Sequence, residues 1–378
     1  MNKTTAAVAI TRCATYSKED LTASLKLILD EGGMMDVTDK TILLKPNLLS
    51  DAPPEKAITT RGEVVEVLIR LLYERGAKKI YAGDSPGIHT NHFIPKHSGI
   101  YDAVVNSGAQ WIHFSDETVM KKIPYTYGRK LPLPAIIDEV DYVFSVAKMK
   151  THQLMYITGS VKNLFGLVPG LHKSGSHLRY PTRESFSRLI CGLYKVNRPQ
   201  FSIIDGIISM EGAGPANGVP RYTGLLLGGR EAPSVDTAMS VIMGVDPLTV
   251  PLLETLHKKN LTDFDRLEDI PFPLLSPSDL VIEDYKRIDQ DRQTNLFNAL
   301  IGPFFTRKFK FNHQKKEPRP IFIDDSCIGC GRCITICPGK ALSFSSDRKI
   351  SADYKKCIRC YCCHEVCPAD AIEIEQRE

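Results

Sequence analysis

Through the first 326 positions of this 378-residue chain there are only two cysteines, Cys13 and Cys191; nine of the 11 lie in the last 52. The body is therefore no disulfide scaffold, and the distribution fits a reducing compartment, so the expected location is the cytoplasm. Long apolar runs are missing as well. The run from Ala6 to Ile10 is too short for a signal h-region and reads as a first strand. No transmembrane segment is expected: the nearest approach, Leu296 to Phe305, is interrupted by Asn298, Gly302 and Pro303. Strong net charge is absent too, since 48 Lys and Arg against 44 Asp and Glu leave only +4. That balance does not by itself indicate nucleic acid, and none is expected as a partner. What is present is 43% hydrophobic residues and enough length for one sizeable domain plus a small appendix.

Apolar periodicity predicts strands at 6–10, 41–44, 79–82, 111–114, 142–146, 201–204 and 225–227. Helices are predicted at 18–30, 61–75, 100–107 and 235–243, the last with Ser234 as cap. Alternating strands and helices predict an α/β fold with a mostly parallel sheet and helices on both faces, followed by a small C-terminal α+β domain. The expected division is a body at 1–290, a linker at 291–319 and the small domain at 320–378. The aromatic and basic segment from Leu296 to Phe311 suits packing of the linker on its own domain; the alternative is a membrane surface.

Polar residues recur where strands are expected to end: Lys45 and Asn47, Asp84 and Ser85, Lys148 and Lys150, Asp205 and Glu211. Ligands of open α/β sheets bind outside the carboxyl ends of strands, so these ends predict one shared site. Against this, Asp and Asn after a strand also simply start turns. The stretch 142–183 has no Asp or Glu, yet holds Lys148, Lys150, Lys162, Lys173, Arg179, Arg183, His152, His172 and His177, spaced by glycines. A cationic, glycine-spaced loop suits a phosphate or carboxylate; the bland alternative is a solvated basic face. Lys148, His152 and Asp84 are the candidates for proton chemistry. Lys45, Asn47, Ser85, Lys150, Lys162, Asp205 and Glu211 are the candidates for holding an anionic small molecule. Gly212 to Gly218 and Gly166 to Ser174 carry nucleotide-loop letters in the wrong context and read as turns. His89 and His92 near Asp84 could ligate a metal, though paired loop histidines more often ligate nothing.

Toward the C-terminus, Cys327, Cys330, Cys333 and Cys337 before Pro338 are echoed by Cys357, Cys360, Cys363 and Cys367 before Pro368. Each run is C-x-x-C-x-x-C-x-x-x-C-P, and two copies imply two [4Fe-4S] clusters. In this pattern the fourth cysteine ligates the other cluster. Cys327, Cys330, Cys333 and Cys367 are expected to hold one, and Cys357, Cys360, Cys363 and Cys337 the second. The copies match beyond sulfur at an offset of 30, with Ala341, Leu342 and Phe344 on Ala371, Ile372 and Ile374. Zinc knuckles are the alternative, but zinc has no use for a crossed fourth cysteine. Cys362 breaks the repeat and reads as a spare thiol.

Residues 320–378 resemble two-cluster ferredoxins, which implies one-electron transfer and a redox partner protein. In the body, Lys45-Pro46-Asn47-Leu48, Gly83-Asp84-Ser85-Pro86-Gly87, Lys148 through His152 to Lys162-Asn163-Leu164-Phe165-Gly166, and Asp205-Gly206 with Met210-Glu211-Gly212 resemble the family catalogued as domain of unknown function 362. That resemblance spans about 5–250 and implies no settled reaction. No residue set matches the site of lactate-racemase-type proteins. The leading expectation is an oxidoreductase component passing single electrons between the clusters and a bound anion. Two others stand beside it: an electron carrier or redox sensor whose body docks a partner, and a non-redox isomerase or metal-handling enzyme with structural clusters.

Overall fold

The computed structural model describes residues 7–86, 94–170, 172–288 and 318–375. The linker, the segment from Leu296 to Phe311, and His89 and His92 lie outside the described residues. The body carries β1 (Val8–Arg12), α1 (Lys18–Glu31), β2 (Thr41–Pro46), α2 (Gly62–Glu74), β3 (Lys79–Ala82), α3 (Ile100–Asn106), β4 (Gln110–Trp111), a small hairpin of β5 (Thr118–Lys122) and β6 (Lys130–Pro134), then β7 (Tyr142–His152) and β8 (Tyr156–Thr158). It continues through α4 (Ser160–Asn163), α5 (His172–Arg179), α6 (Arg183–Val196), β9 (Phe201–Glu211), β10 (Val219–Gly229), α7 (Ala232–Ile242) and α8 (Pro251–Lys258). The main sheet has the order β1-β10-β9-β7-β2-β3-β4, with β8 on β7. From β9 to β4 every pairing is parallel, while β10 and β1 close one edge antiparallel.

Period-two alternation along β7 splits the core. Phe144 and Val146 pack with Leu25, Leu68 and Val104 of α1, α2 and α3. Val143, Ala147 and Met149 face Leu189, Val235 and Leu256 of α6, α7 and α8. Helices thus cover both faces, as the alternating pattern predicts. Helix starts follow capping chemistry: Ser17 Oγ accepts from Asp20 N at 3.1 Å, and Thr182 and Ser185 close a reciprocal box at the head of α6.

Four expectations need correction. β2 runs to Pro46, β7 to His152 and β9 to Glu211, so Lys45, Lys148, Lys150, Asp205 and Glu211 lie within strands rather than after them. Polar letters end the apolar pattern, but buried partners let the strand continue. For the same reason 142–183 is no loop; it is β7, β8, α4, a 3-10 turn at Leu164–Leu167 and α5. The nucleotide-like letters from Gly166 therefore fall partly in helix, not in a simple turn. Finally, α7 starts at Ala232, with Glu231 accepting from Ser234 N at 2.7 Å, so Ser234 is inside the first turn.

The C-terminal unit keeps the 30-residue repeat in three dimensions. Strands Pro320–Phe322 and Ile372–Ile374 pair antiparallel, as do Leu342–Phe344 and Ile350–Ala352. The short helices Arg332–Ile336 and Cys362–Glu365 begin at equivalent points. Left-handed backbone recurs at the same offset, at Gly329 and Arg359 and at Gly331 and Tyr361. Tyr361 takes a conformation glycine would adopt freely. Its ring is 3% exposed within the core of the body, and its hydroxyl donates to Pro318 O at 2.9 Å. Burial of an aromatic side chain, about 1.5–3 kcal/mol, offsets a left-handed cost of roughly 1–2 kcal/mol.

Candidate functional site between the strand ends and the cysteine-rich unit

Strand parity sends the predicted lysines to different neighbours. Lys45 points to the α4 side, where its Nζ lies 2.9 Å from Asp84 Oδ2 and donates to Asn163 Oδ1 at 3.1 Å. Asp84 also accepts the amides of Leu48 and Ser85 at 2.7 and 2.6 Å, and Ser85 Oγ accepts Gly170 N at 2.9 Å. Gly166 lies directly on this pair, where a β-carbon would strike Asp84 Oδ1 and Lys45 Nζ. On the α1–α2 side Lys148 Nζ meets Asp205 Oδ2 at 2.7 Å, and both side chains are fully buried. Tyr16 donates to Asp205 Oδ1 at 2.8 Å, and the backbone of Arg61 donates to Oδ2 at 3.1 Å. Lys150 Nζ donates to Asn47 Oδ1 and Ile58 O at 2.9 and 2.6 Å. Burial lowers the pKa of all three lysines; neighbouring carboxylates oppose that shift at Lys45 and Lys148. Glu211 stands apart, 3.1 Å from Arg221.

Above these pairs lies a cleft whose walls include Asn47, Asp84, His152, Lys162, Lys173 and His177, and whose roof is Arg332, Ile336, Cys362, Glu365 and Val366 of the C-terminal unit. Lys162 comes from α4, whose first amides are held by the carboxylate of Asp236: Ser160 N at 2.5 Å and Val161 N at 3.0 Å. Gly159 admits that carboxylate, because a β-carbon there would collide with it. Burial pushes the Asp236 carboxyl up to about 7.

His152 is 1% exposed, and its Nδ1 accepts the amides of Leu154 and Met155 at 3.1 and 3.3 Å. In the neutral ring the proton is thereby assigned to Nε2. Burial first, then the charge of Lys162, keeps this imidazole's pKa well below its usual value. Nε2 faces Glu365 Oε1 at 3.5 Å, and that oxygen has no hydrogen-bond partner among the described residues. Burial also pushes His177 down to about 3, and its Nδ1 is likewise unpartnered among them. Lys173 is lowered to about 8 by burial. Within the described residues neither Lys162 nor Lys173 has an ion pair or hydrogen bond like those of Lys45 and Lys148, so these two ammonium groups are the ones left for an incoming anion.

The cysteines surround two further cavities. One is lined by Cys327, Cys330, Cys333 and Cys367; the other by Cys337, Cys357, Cys360 and Cys363. Each thus takes three thiols from one run and the fourth from the other. No three His, Cys, Asp or Glu side chains among the described residues converge tightly enough for a single metal ion. Four thiols around a larger void fit a cubane better than zinc. Ala341 N donates to Cys337 Sγ and Ala371 N to Cys367 Sγ, both at 3.3 Å, the kind of bond that tunes a cluster's potential. Cys362 lines both the second cavity and the cleft, and Arg332 both the first cavity and the cleft.

The family model described as domain of unknown function (DUF362) matches residues 42–240, more than half the chain. The chain belongs to this family. The model for a 4Fe-4S dicluster domain matches 321–374, which makes the C-terminal unit an iron–sulfur domain. A thylakoid-associated protein of Synechocystis sp. is 30% identical over 283 residues, which is 74% of this chain and 87% of that protein. Two solved structures show weaker likeness. A Thermotoga maritima protein has 12% identity and a TM-score of 0.41, covering 62% of this chain and 61% of its own. The lactate racemase apoprotein of Thermoanaerobacterium thermosaccharolyticum has 13% identity and a TM-score of 0.42, covering 65% and 59%. The chain thus spans about three-fifths of the length of each. No described helix is long and apolar enough to cross a membrane.

The DUF362 match takes in both buried ion pairs, Lys162, Lys173 and Asp236, while the cleft roof comes from the iron–sulfur domain. Of the sequence candidates, Asn47, Asp84, His152 and Lys162 line the cleft. Lys45, Lys148, Lys150, Ser85, Asp205 and Glu211 do not. Lys173 and His177 were legible only as members of the acid-free stretch. Tyr16, Asp236 and Glu365 carry no local signal, because their roles depend on partners distant in sequence.

Proposed function

We propose that this DUF362 member is an oxidoreductase component that passes single electrons between two [4Fe-4S] clusters and a small anion held in the cleft. The observation that carries this reading is the shared wall: Cys362 bounds both the cleft and one four-cysteine cavity. Cys327, Cys330, Cys333 and Cys367 would hold one cluster, and Cys357, Cys360, Cys363 and Cys337 the other; the clusters supply one-electron transfer. Lys162 and Lys173, both half-buried, bind the anion as point charges, and a cation without a fixed partner in a cleft gains most from one. The Nε2 proton of His152 and the side chain of Asn47 orient its oxygens. Lys45 with Asp84 fixes the floor, and Lys148 with Asp205 fixes the frame beneath it. The cytoplasm, with a redox protein as partner, suits reduced cysteines, of which Cys330 is exposed.

Anaerobically purified protein should contain roughly eight irons per chain and a broad visible absorbance that bleaches with dithionite. Mass spectrometry of denatured protein should find a copurified carboxylate or phosphate that Lys162→Ala loses without losing iron. Zinc in place of iron would remove the redox half of the proposal. A copurified anion indifferent to Lys162 would remove the binding half.

A further inference from the structure

The cleft and the cysteine cavities are electrostatic neighbours. Cys362 lines both the cleft and the second cavity, and Arg332 lines both the cleft and the first. Inside the cleft, Lys162 and Lys173 stand without an ion pair among the described residues. His177, 6% exposed, carries an unpartnered buried Nδ1. Glu365 is the acid that the iron–sulfur domain contributes to the roof, and Asp84 is already bound to Lys45. A ligand there meets an excess of positive charge in a partly dry space, where Coulomb interactions are weakly screened.

Resting on the anion site proposed above, we infer that occupancy of the cleft and the charge of the iron–sulfur domain are thermodynamically linked: a small oxyanion between Lys162 and Lys173 binds more tightly when the domain is oxidised and lowers its reduction potential when bound. Reduction adds one electron, hence one negative charge, behind Cys362 or Arg332, and that charge repels the anion. Linkage makes the effect reciprocal. Unit charges on the order of 10 Å apart at an effective permittivity of about 20 change affinity by roughly tenfold. Tenfold corresponds to about 59 mV for a one-electron couple. Such a device would release a bound anion when electrons arrive and retain it when they leave.

The test uses the full holoprotein with malonate and inorganic phosphate as probes. The protein is reduced electrochemically through methyl viologen, since dithionite yields competing oxyanions; the viologen radical cation gives up one electron and returns to the dication. Equilibrium dialysis of each probe against oxidised and reduced protein should show affinity about tenfold weaker after reduction. Titrations followed by electron paramagnetic resonance should show a lower midpoint with malonate present. Lys162→Gln should weaken binding in both states and make the midpoint insensitive to malonate. Equal affinity in the two states, with binding abolished by Lys162→Gln, would overturn the linkage and leave the anion site standing. Failure of both probes to bind in either state would overturn both.

Discussion

Lys148 and Cys362 show how little a residue's type says before its neighbours are known. Lys148 reads from the sequence as a candidate for proton chemistry after a strand end, yet it is sealed against Asp205 and Tyr16. Breaking a buried pair strands the remaining charge, so Lys148→Ala should destabilise the body by about 3–5 kcal/mol while leaving Lys162 in the cleft. Urea unfolding followed by circular dichroism measures this, and an unchanged midpoint would contradict the pairing. Cys362 is 5% exposed and lines the second cavity beside the four cysteines, but the repeat of the two cysteine runs gives it no counterpart among the expected ligands. Cys362→Ser should therefore keep full iron content, whereas Cys363→Ser should lose iron from the second cluster. Equal losses in the two variants would make Cys362 a ligand.

Helix α4 depends on its acidic cap. Asp236 holds the amides of Ser160 and Val161 and so sets the direction of Lys162. Its carboxyl is raised to about 7 by burial, against about 3.9 in an unfolded chain. Between these values the folded state retains a proton that the unfolded state has lost. This group's contribution to stability is complete below about pH 4 and is lost as pH rises through about 7. Asp236→Asn removes that titration but gives up one amide acceptor. The variant should trail the parent most at pH 5 and least at pH 8 in urea midpoint; parallel profiles would refute the assignment. Elements such as β2, β3, α1 and α2 were legible because their apolar periodicity is uninterrupted. The ends of β7 and β9 were not, because Lys148 and Asp205 look like loop residues until they face each other across the sheet.

At the scale of the whole molecule, the contacts between body and iron–sulfur domain include Tyr361 in the body's core, Glu365 facing His152, and Lys56 Nζ 3.6 Å from Asp370. Each cavity of the iron–sulfur domain takes a cysteine from the opposite run, Cys367 in the first and Cys337 in the second, which favours crossed ligation. Cys337→Ser should thus disturb the cluster held by Cys357, Cys360 and Cys363, distinguishable by electron paramagnetic resonance of singly reduced protein. A disturbance confined to the cluster of Cys327, Cys330 and Cys333 would exclude the crossing. By itself the sequence determined the repeat of two cysteine runs, the α/β class and the family, because these rest on spacing, periodicity and short motifs carried by neighbouring residues. Only the tertiary structure decided which lysines are neutralised and which face the cleft, and that the C-terminal unit forms its roof. Those outcomes depend on strand parity and on contacts between residues far apart in the chain, such as Lys45 with Asp84, Lys148 with Asp205, and His152 with Glu365, which no local pattern encodes.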